Sequence, residues 1–213
     1  MRRIMPFLFF HYRAPILLLV FAIALIILRI LLTASFFYAF LLWNLCLAIV
    51  PYIITQSIYF YGFHKISIGL KIVLFFIWLL FLPNAPYLIT DLVHLHSPYS
   101  DWKWFDLFTV FVFAFTGLFF GTLSLMDVQK LCILRFGNTI TETLLFLVCI
   151  LMGYGIFLGR FLRFNSWDIL LRPTKLLIWS FTALGNIKTW MMSLAFGLFI
   201  WLIFLALKWV KEA

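Results

Sequence analysis

Apolar positions in this chain run in long unbroken blocks and do not alternate with polar ones. The blocks fall at residues 14–32, 36–61, 71–90, 105–126, 143–162 and 189–207. Each is close to the roughly 20 residues that a helix needs to cross a bilayer. Lipid offers the backbone no hydrogen-bond partner, so such runs must be helices or strands of a closed barrel. A barrel would alternate polar and apolar residues, and these runs do not. The pattern predicts an all-α, polytopic bundle of about six transmembrane helices forming a single transmembrane domain over 1–213.

Two segments depart from regular helix. The third block contains Pro83-Asn84-Ala85-Pro86. Two prolines remove two amide donors and disfavour helix in the residues before them, so this span is expected to break between Leu82 and Pro86. The stretch 169–185 is apolar but interrupted by Arg172, Pro173 and Lys175. A full crossing there would bury two cations beside a proline. An interfacial or re-entrant segment before the sixth span fits better, with Asn165-Ser166 as its N-cap.

Composition agrees with the pattern. Apolar residues make up 66% of the 213 and charged residues 11%, with mean hydropathy +1.15. A soluble domain carries about 25% charged residues. The net charge of +9 would suggest nucleic acid in a soluble protein. Here basic residues flank spans and meet anionic headgroups, and no nucleic-acid motif is present, so the expected partner is the lipid bilayer. Cys46, Cys132 and Cys149 show no CxxC spacing and predict neither disulfide nor metal framework. Met1-Arg2-Arg3 resembles the charged end of a signal peptide. The run Ala14–Leu32 is longer than a signal h-region, and residues 32–34 read Leu-Thr-Ala, so it is read as an uncleaved first span.

Basic residues also orient the chain. Of the 16 Lys and Arg, nine fall on the side of the N-terminus and seven on the other. The first span has a strongly basic upstream end, so both termini are placed in the cytoplasm. Five of the seven outer cations lie between Arg160 and Lys188. Insertion bias opposes that arrangement. Either the orientation is reversed, or those cations serve a purpose on the outer face.

Two polar stretches stand out on that face. One runs from Tyr87 through Asp91, His94 and His96 to Asp106; the other carries Arg160, Arg163, Asn165 and Asp168. Two crossings separate them, so they share a side. Asp91 and His94 are spaced to share a helical face, as are Arg160 and Arg163. Carboxylate and imidazole can ligate a metal, transfer a proton or hydrogen-bond a substrate. The arrangement D-x-x-H-x-H is not a specific signature, so Asp91, His94 and His96 are only weak metal candidates. Arginine suits phosphate or carboxylate, and it also snorkels to lipid phosphate without further function. Gly117/Gly121 and Gly155/Gly159 are G-x-x-x-G pairs that allow close helix approach, read here as packing within the chain. Trp102, Trp104, Trp167 and Trp190 form an aromatic belt near span ends. No Walker A, G-x-S-x-G, H-E-x-x-H or dinucleotide fingerprint occurs.

The stretches Leu82–Leu95 and Gly155–Ile169 resemble DUF1361, a bacterial family of multi-spanning membrane proteins. The resemblance implies a bacterial cytoplasmic (inner) membrane and supplies no catalytic residue or cofactor. Three functions stay open. Transport or handling of an anionic or lipid-like substrate follows from a proline-broken span beside intramembrane charge. A membrane-embedded enzyme acting on a lipid headgroup would use Asp91, His94 and His96, with Arg160 and Arg163 holding the headgroup. An accessory subunit would dock a partner, or a second copy, through its polar face.

Overall fold

The computed structural model describes residues 4–96 and 102–212, with side chains from Arg13 onward except those of His96 and Glu212. Among the described residues every regular element is helical. Six helices are long and apolar enough to cross a membrane: Arg13–Thr33, Phe37–Tyr61, Ile68–Leu95, Lys103–Phe136, Asn138–Arg160 and Ile187–Lys211. They are spans 1 to 6 below. Side-chain pairs between span ends fix their alternating directions. The end of span 1 meets the start of span 4 through Arg29 and Asp106, and the ends of spans 3 and 5 meet through Asp91 and Arg160. At the other pole the start of span 5 meets the end of span 6 through Glu142 and Lys208. Span 1 starts and span 6 ends at this pole, here called the terminal face; the other is the distal face.

Span 4 is the central helix. Its apolar window is 61% buried, against 22–39% for the other five, whose remaining surface is left for lipid. Two apolar clusters fill the bundle. One joins Leu25, Ile26, Leu41, Leu45, Leu88 and Phe113 of spans 1 to 4. The other joins Trp78, Leu82, Leu125, Met152, Ile200 and Phe204 of spans 3 to 6. Trp78 Nε1 donates to Ser124 Oγ at 2.7 Å, satisfying a buried indole within the second cluster.

The span boundaries differ most between spans 4 and 5. The apolar pattern leaves 127–142 as a connection, yet helix continues through Lys103–Arg160 and turns only at Gly137, with φ 75° and ψ 174°. That conformation is nearly exclusive to glycine. Apolarity marks where lipid ends, whereas a helix ends where its backbone turns. Span 4 therefore carries polar turns past its apolar run toward the terminal face.

Span 3 breaks inside the window that its prolines set. Regular helix runs over Ile68–Phe81 and again over Asn84–Thr90, then tightens to a 3-10 turn over Asp91–His96. Leu82 and Pro83 keep right-handed dihedrals, so the hydrogen-bond ladder is interrupted while the chain continues in roughly the same direction. The segment before span 6 holds helices Asp168–Leu171 and Pro173–Ala183. Eleven residues of helix span about 16 Å, half of the roughly 30 Å of a hydrocarbon core. This segment does not cross as a helix. Leu177, Ile178, Trp179 and Phe181 on it are exposed, while Tyr154 of span 5 donates to the Ser180 carbonyl at 2.7 Å and holds it against the bundle. The expected cap at Asn165-Ser166 is not formed. Trp167 precedes the first helix, and Ser166 is used elsewhere.

Candidate functional site

The distal polar region is built on the break in span 3. Pro83 and Pro86 have no N–H to offer the carbonyls one turn back. Ala85 N–H bonds the Leu82 carbonyl at 3.2 Å in place of the regular partner. Asn84 Nδ2 donates to the Phe81 carbonyl at 2.8 Å, and Ser166 Oγ donates to the Leu80 carbonyl at 3.1 Å. Asn84 Nδ2 also reaches Ser166 Oγ at 3.0 Å. Two carbonyls at the break, those of Leu80 and Phe81, are thus taken up by side chains, one of them from the stretch after span 5.

Glycines bring the neighbours close to this break. A Cβ on Gly117 would lie 2.8 Å from the Ala85 carbonyl oxygen, and one on Gly121 would lie 2.6 Å from Ala85 Cβ. On the other side, a Cβ on Gly155 would lie 2.5 Å from Pro83 Cγ, and one on Gly159 would lie 3.2 Å from Tyr87 Cε2. The two G-x-x-x-G pairs flank the same segment from spans 4 and 5.

This packing carries the end of span 5 to the end of span 3. Arg160 NH1 lies 3.5 Å from Asp91 Oδ1 and 3.3 Å from His94 Nε2. Asn44 of span 2 donates to Asp91 Oδ2 at 2.8 Å. The Asp91 side chain is 2% exposed and that of Arg160 is 20% exposed. One carboxylate oxygen thus has a hydrogen-bond donor and the other an ion-pair partner, and the guanidinium remains partly exposed. The Phe40 ring packs edge-on against His94, closing the network on the side of span 2.

The other expected residues sit differently. Arg163 is exposed and holds φ +56°. Phe164 N–H returns to the Leu158 carbonyl at 3.1 Å around it, closing the end of span 5. Glycine commonly fills such a left-handed position, and a side chain there costs about 1–2 kcal/mol. Asp168 is buried and turns inward on its own loop, accepting from the Asn165 amide at 2.7 Å. Asn165 is itself exposed. His96 lies outside the described side chains. Among the described residues, no three of His, Cys, Asp and Glu gather to hold a metal.

Sequence reasoning missed two distal groups. Asn44 is an amide in an apolar span, a signal that went unused. In the sequence, Arg29 reads only as one of the seven outer cations. Its Nε lies 3.1 Å from Asp106 Oδ1, its NH1 donates to the Ser35 carbonyl at 2.8 Å, and its guanidinium stacks 4.7 Å from the Tyr38 ring centroid. This pair is almost fully buried and ties spans 1 and 4 together.

Residues 43–203 match the family described as Protein of unknown function (DUF1361). The chain belongs to this family. The match spans well over half the chain and takes in the broken span 3, both G-x-x-x-G pairs and the Asp91–Arg160 network. No curated protein and no solved structure matches the chain. The two stretches on which the resemblance to DUF1361 rests, 82–95 and 155–169, pack on each other through Pro83 and Gly155, Asn84 and Ser166, and Asp91 and Arg160.

Proposed function

We propose that this DUF1361 protein handles an anionic, lipid-like substrate at its distal face, with Arg160 and Arg163 receiving the headgroup. The observation that carries the reading is the partial exposure of Arg160 on a buried Asp91 anchor. Asp91 and His94 fix one edge of the guanidinium, and its other N–H groups are available for a phosphate or carboxylate. Arg163 adds a second guanidinium three residues on, held on a backbone conformation that glycine would adopt at less cost. Exposed Arg172 and Lys175 extend the positive face, beside a short apolar helix suited to the acyl boundary. The same reading places the protein as a single domain in a bacterial cytoplasmic membrane with both termini inside, so that the distal face looks outward.

The test is equilibrium binding of short-chain phospholipids to the purified protein, comparing anionic with zwitterionic headgroups. The anionic lipid should bind at least about tenfold more tightly, and Arg163→Gln should remove most of that preference. Equal affinity for both headgroups, or a preference untouched by Arg163→Gln, would refute the proposal.

A further inference from the structure

A cleft at the terminal face joins positive charge to apolar surface. Span 1 packs on span 4 in the first apolar cluster, and span 6 packs on span 4 in the second. A cavity of about 210 Å³ lies over span 4 at this end, with Ala14 and Pro15 of span 1, Tyr52 of span 2 and Lys211 of span 6 at its sides. Phe119, Leu123, Met126 and Lys130 of span 4 also line it, at spacings of four, three and four residues that keep them on one helical face.

The inner end of this face continues as a ridge of phenylalanines. Phe111, Phe115 and Phe119 stack with 6.4 Å between successive ring centroids. Phe111 and Phe115 are about half exposed, on the span that is otherwise the most buried of the six. From Leu123 to Phe111 the ridge rises about 18 Å, a little over half of the roughly 30 Å hydrocarbon core. It matches the depth of one leaflet.

At the mouth of the cleft Lys211 comes beside Lys130, so two ammoniums from different spans share one site. Like charges held together destabilise each other, and an anion between them reverses the sign. Asp127 Oδ1 lies 3.9 Å from Lys130 Nζ, which sets one carboxylate against two ammoniums. By sequence position the terminal face carries nine Lys and Arg against three acids, Asp127, Glu142 and Glu212, and Glu142 is taken by Lys208. Whatever contacts each group makes, the excess of positive charge stays at this face.

We propose that this cleft binds an anionic phospholipid, with its phosphate on Lys130 and Lys211 and one acyl chain along Leu123, Phe119 and Phe115. Lysine holds phosphate as a point charge. Basic pockets between spans are known seats of anionic headgroups. A free phosphate would use the lysines alone, whereas the apolar ridge that leads away from them suits a lipid. The site lies at the opposite pole from Arg160 and Arg163.

Photo-cross-linking in vesicles tests the site. The protein is reconstituted with phosphatidylglycerol or phosphatidylcholine carrying a photoreactive group on the acyl chain, and adducts are mapped by peptide mass spectrometry. The anionic probe should label residues 115–123 at least about tenfold more than the zwitterionic one, and Lys130→Gln/Lys211→Gln should remove that preference. Leu123→Trp fills the cleft while keeping both charges, and should lower the labelling as well. Arg163→Gln should leave the labelling unchanged, and excess inorganic phosphate should not compete. Equal labelling by the two probes, a preference that survives loss of both lysines, loss of labelling in Arg163→Gln, or competition by inorganic phosphate would overturn the proposal. Should the double lysine variant fail to fold, Leu123→Trp decides, and unchanged labelling there overturns the proposal.

Discussion

Two buried carboxylates in the distal half of the bundle, Asp91 and Asp106, are paired with arginines of other spans. Asp91 at 2% exposure next to Arg160 at 20% is partly desolvated. Removing Arg160 alone strands a buried carboxylate, whereas removing both charges strands nothing. Arg160→Gln should therefore cost about 2 kcal/mol, discounted from the fully buried case for its exposure, and Asp91→Asn in that background should restore part of the loss. A double-mutant cycle read by thermal unfolding in detergent checks this, and strict additivity would contradict it. Both charged sides of this network are legible in the sequence. Asp91, His94 and Arg160 stand out because charge is scarce in apolar runs. That Asn44 joins them, and that Arg29 pairs with Asp106, depends on the rotation of each helix about its axis. A single sequence whose helices are apolar nearly all round does not fix that rotation.

Helix geometry in this bundle is set by a few positions where a side chain is either impossible or strained. Gly137 and Gly153 separate the two causes. A Cβ on Gly137 meets nothing within 4 Å, so substitution there acts through backbone strain alone. A Cβ on Gly153 would lie 2.4 Å from the Ser193 carbonyl oxygen, forcing spans 5 and 6 apart. Each change to alanine should destabilise by about 1–3 kcal/mol. Gly69→Ala, with open space and ordinary φ, should be close to neutral in the same unfolding assay. Equal stability of all three variants would contradict the packing described. The break in span 3 was legible because proline acts locally: two missing N–H groups interrupt any helix that holds them. The turn at Gly137 was not legible, because the residues around it are polar and could as well have been a loop. The donors that repair the proline break, Asn84 and Ser166, are 82 residues apart, and no local rule joins them.

Six spans place the two polar stretches at one end of the molecule. The number of spans and the shared side were readable from apolar blocks alone, since parity of crossings requires no packing detail. Cysteines introduced at positions 100 and 170, with the native Cys46, Cys132 and Cys149 replaced, should label from the same side of sealed vesicles. Labelling from opposite sides would break the topology. The weak cation bias toward the terminal face has a partial physical account, because Arg29 and Arg160 lie against buried carboxylates and count for less as free charges during insertion.

At the scale of the whole molecule, the Asp91–Arg160 network is a clamp between spans 3 and 5 and, in the function proposed above, the anchor of an anion-receiving face. The Asp91→Asn/Arg160→Gln double variant separates the two roles, since it keeps the network neutral and the bundle folded while removing the guanidinium. Its binding isotherm for a short-chain anionic phospholipid, set beside that of the wild type, is the most direct measurement. Affinity reduced at least about tenfold in a folded double variant is the predicted result. Unchanged affinity would contradict the assignment of Arg160 as a headgroup ligand.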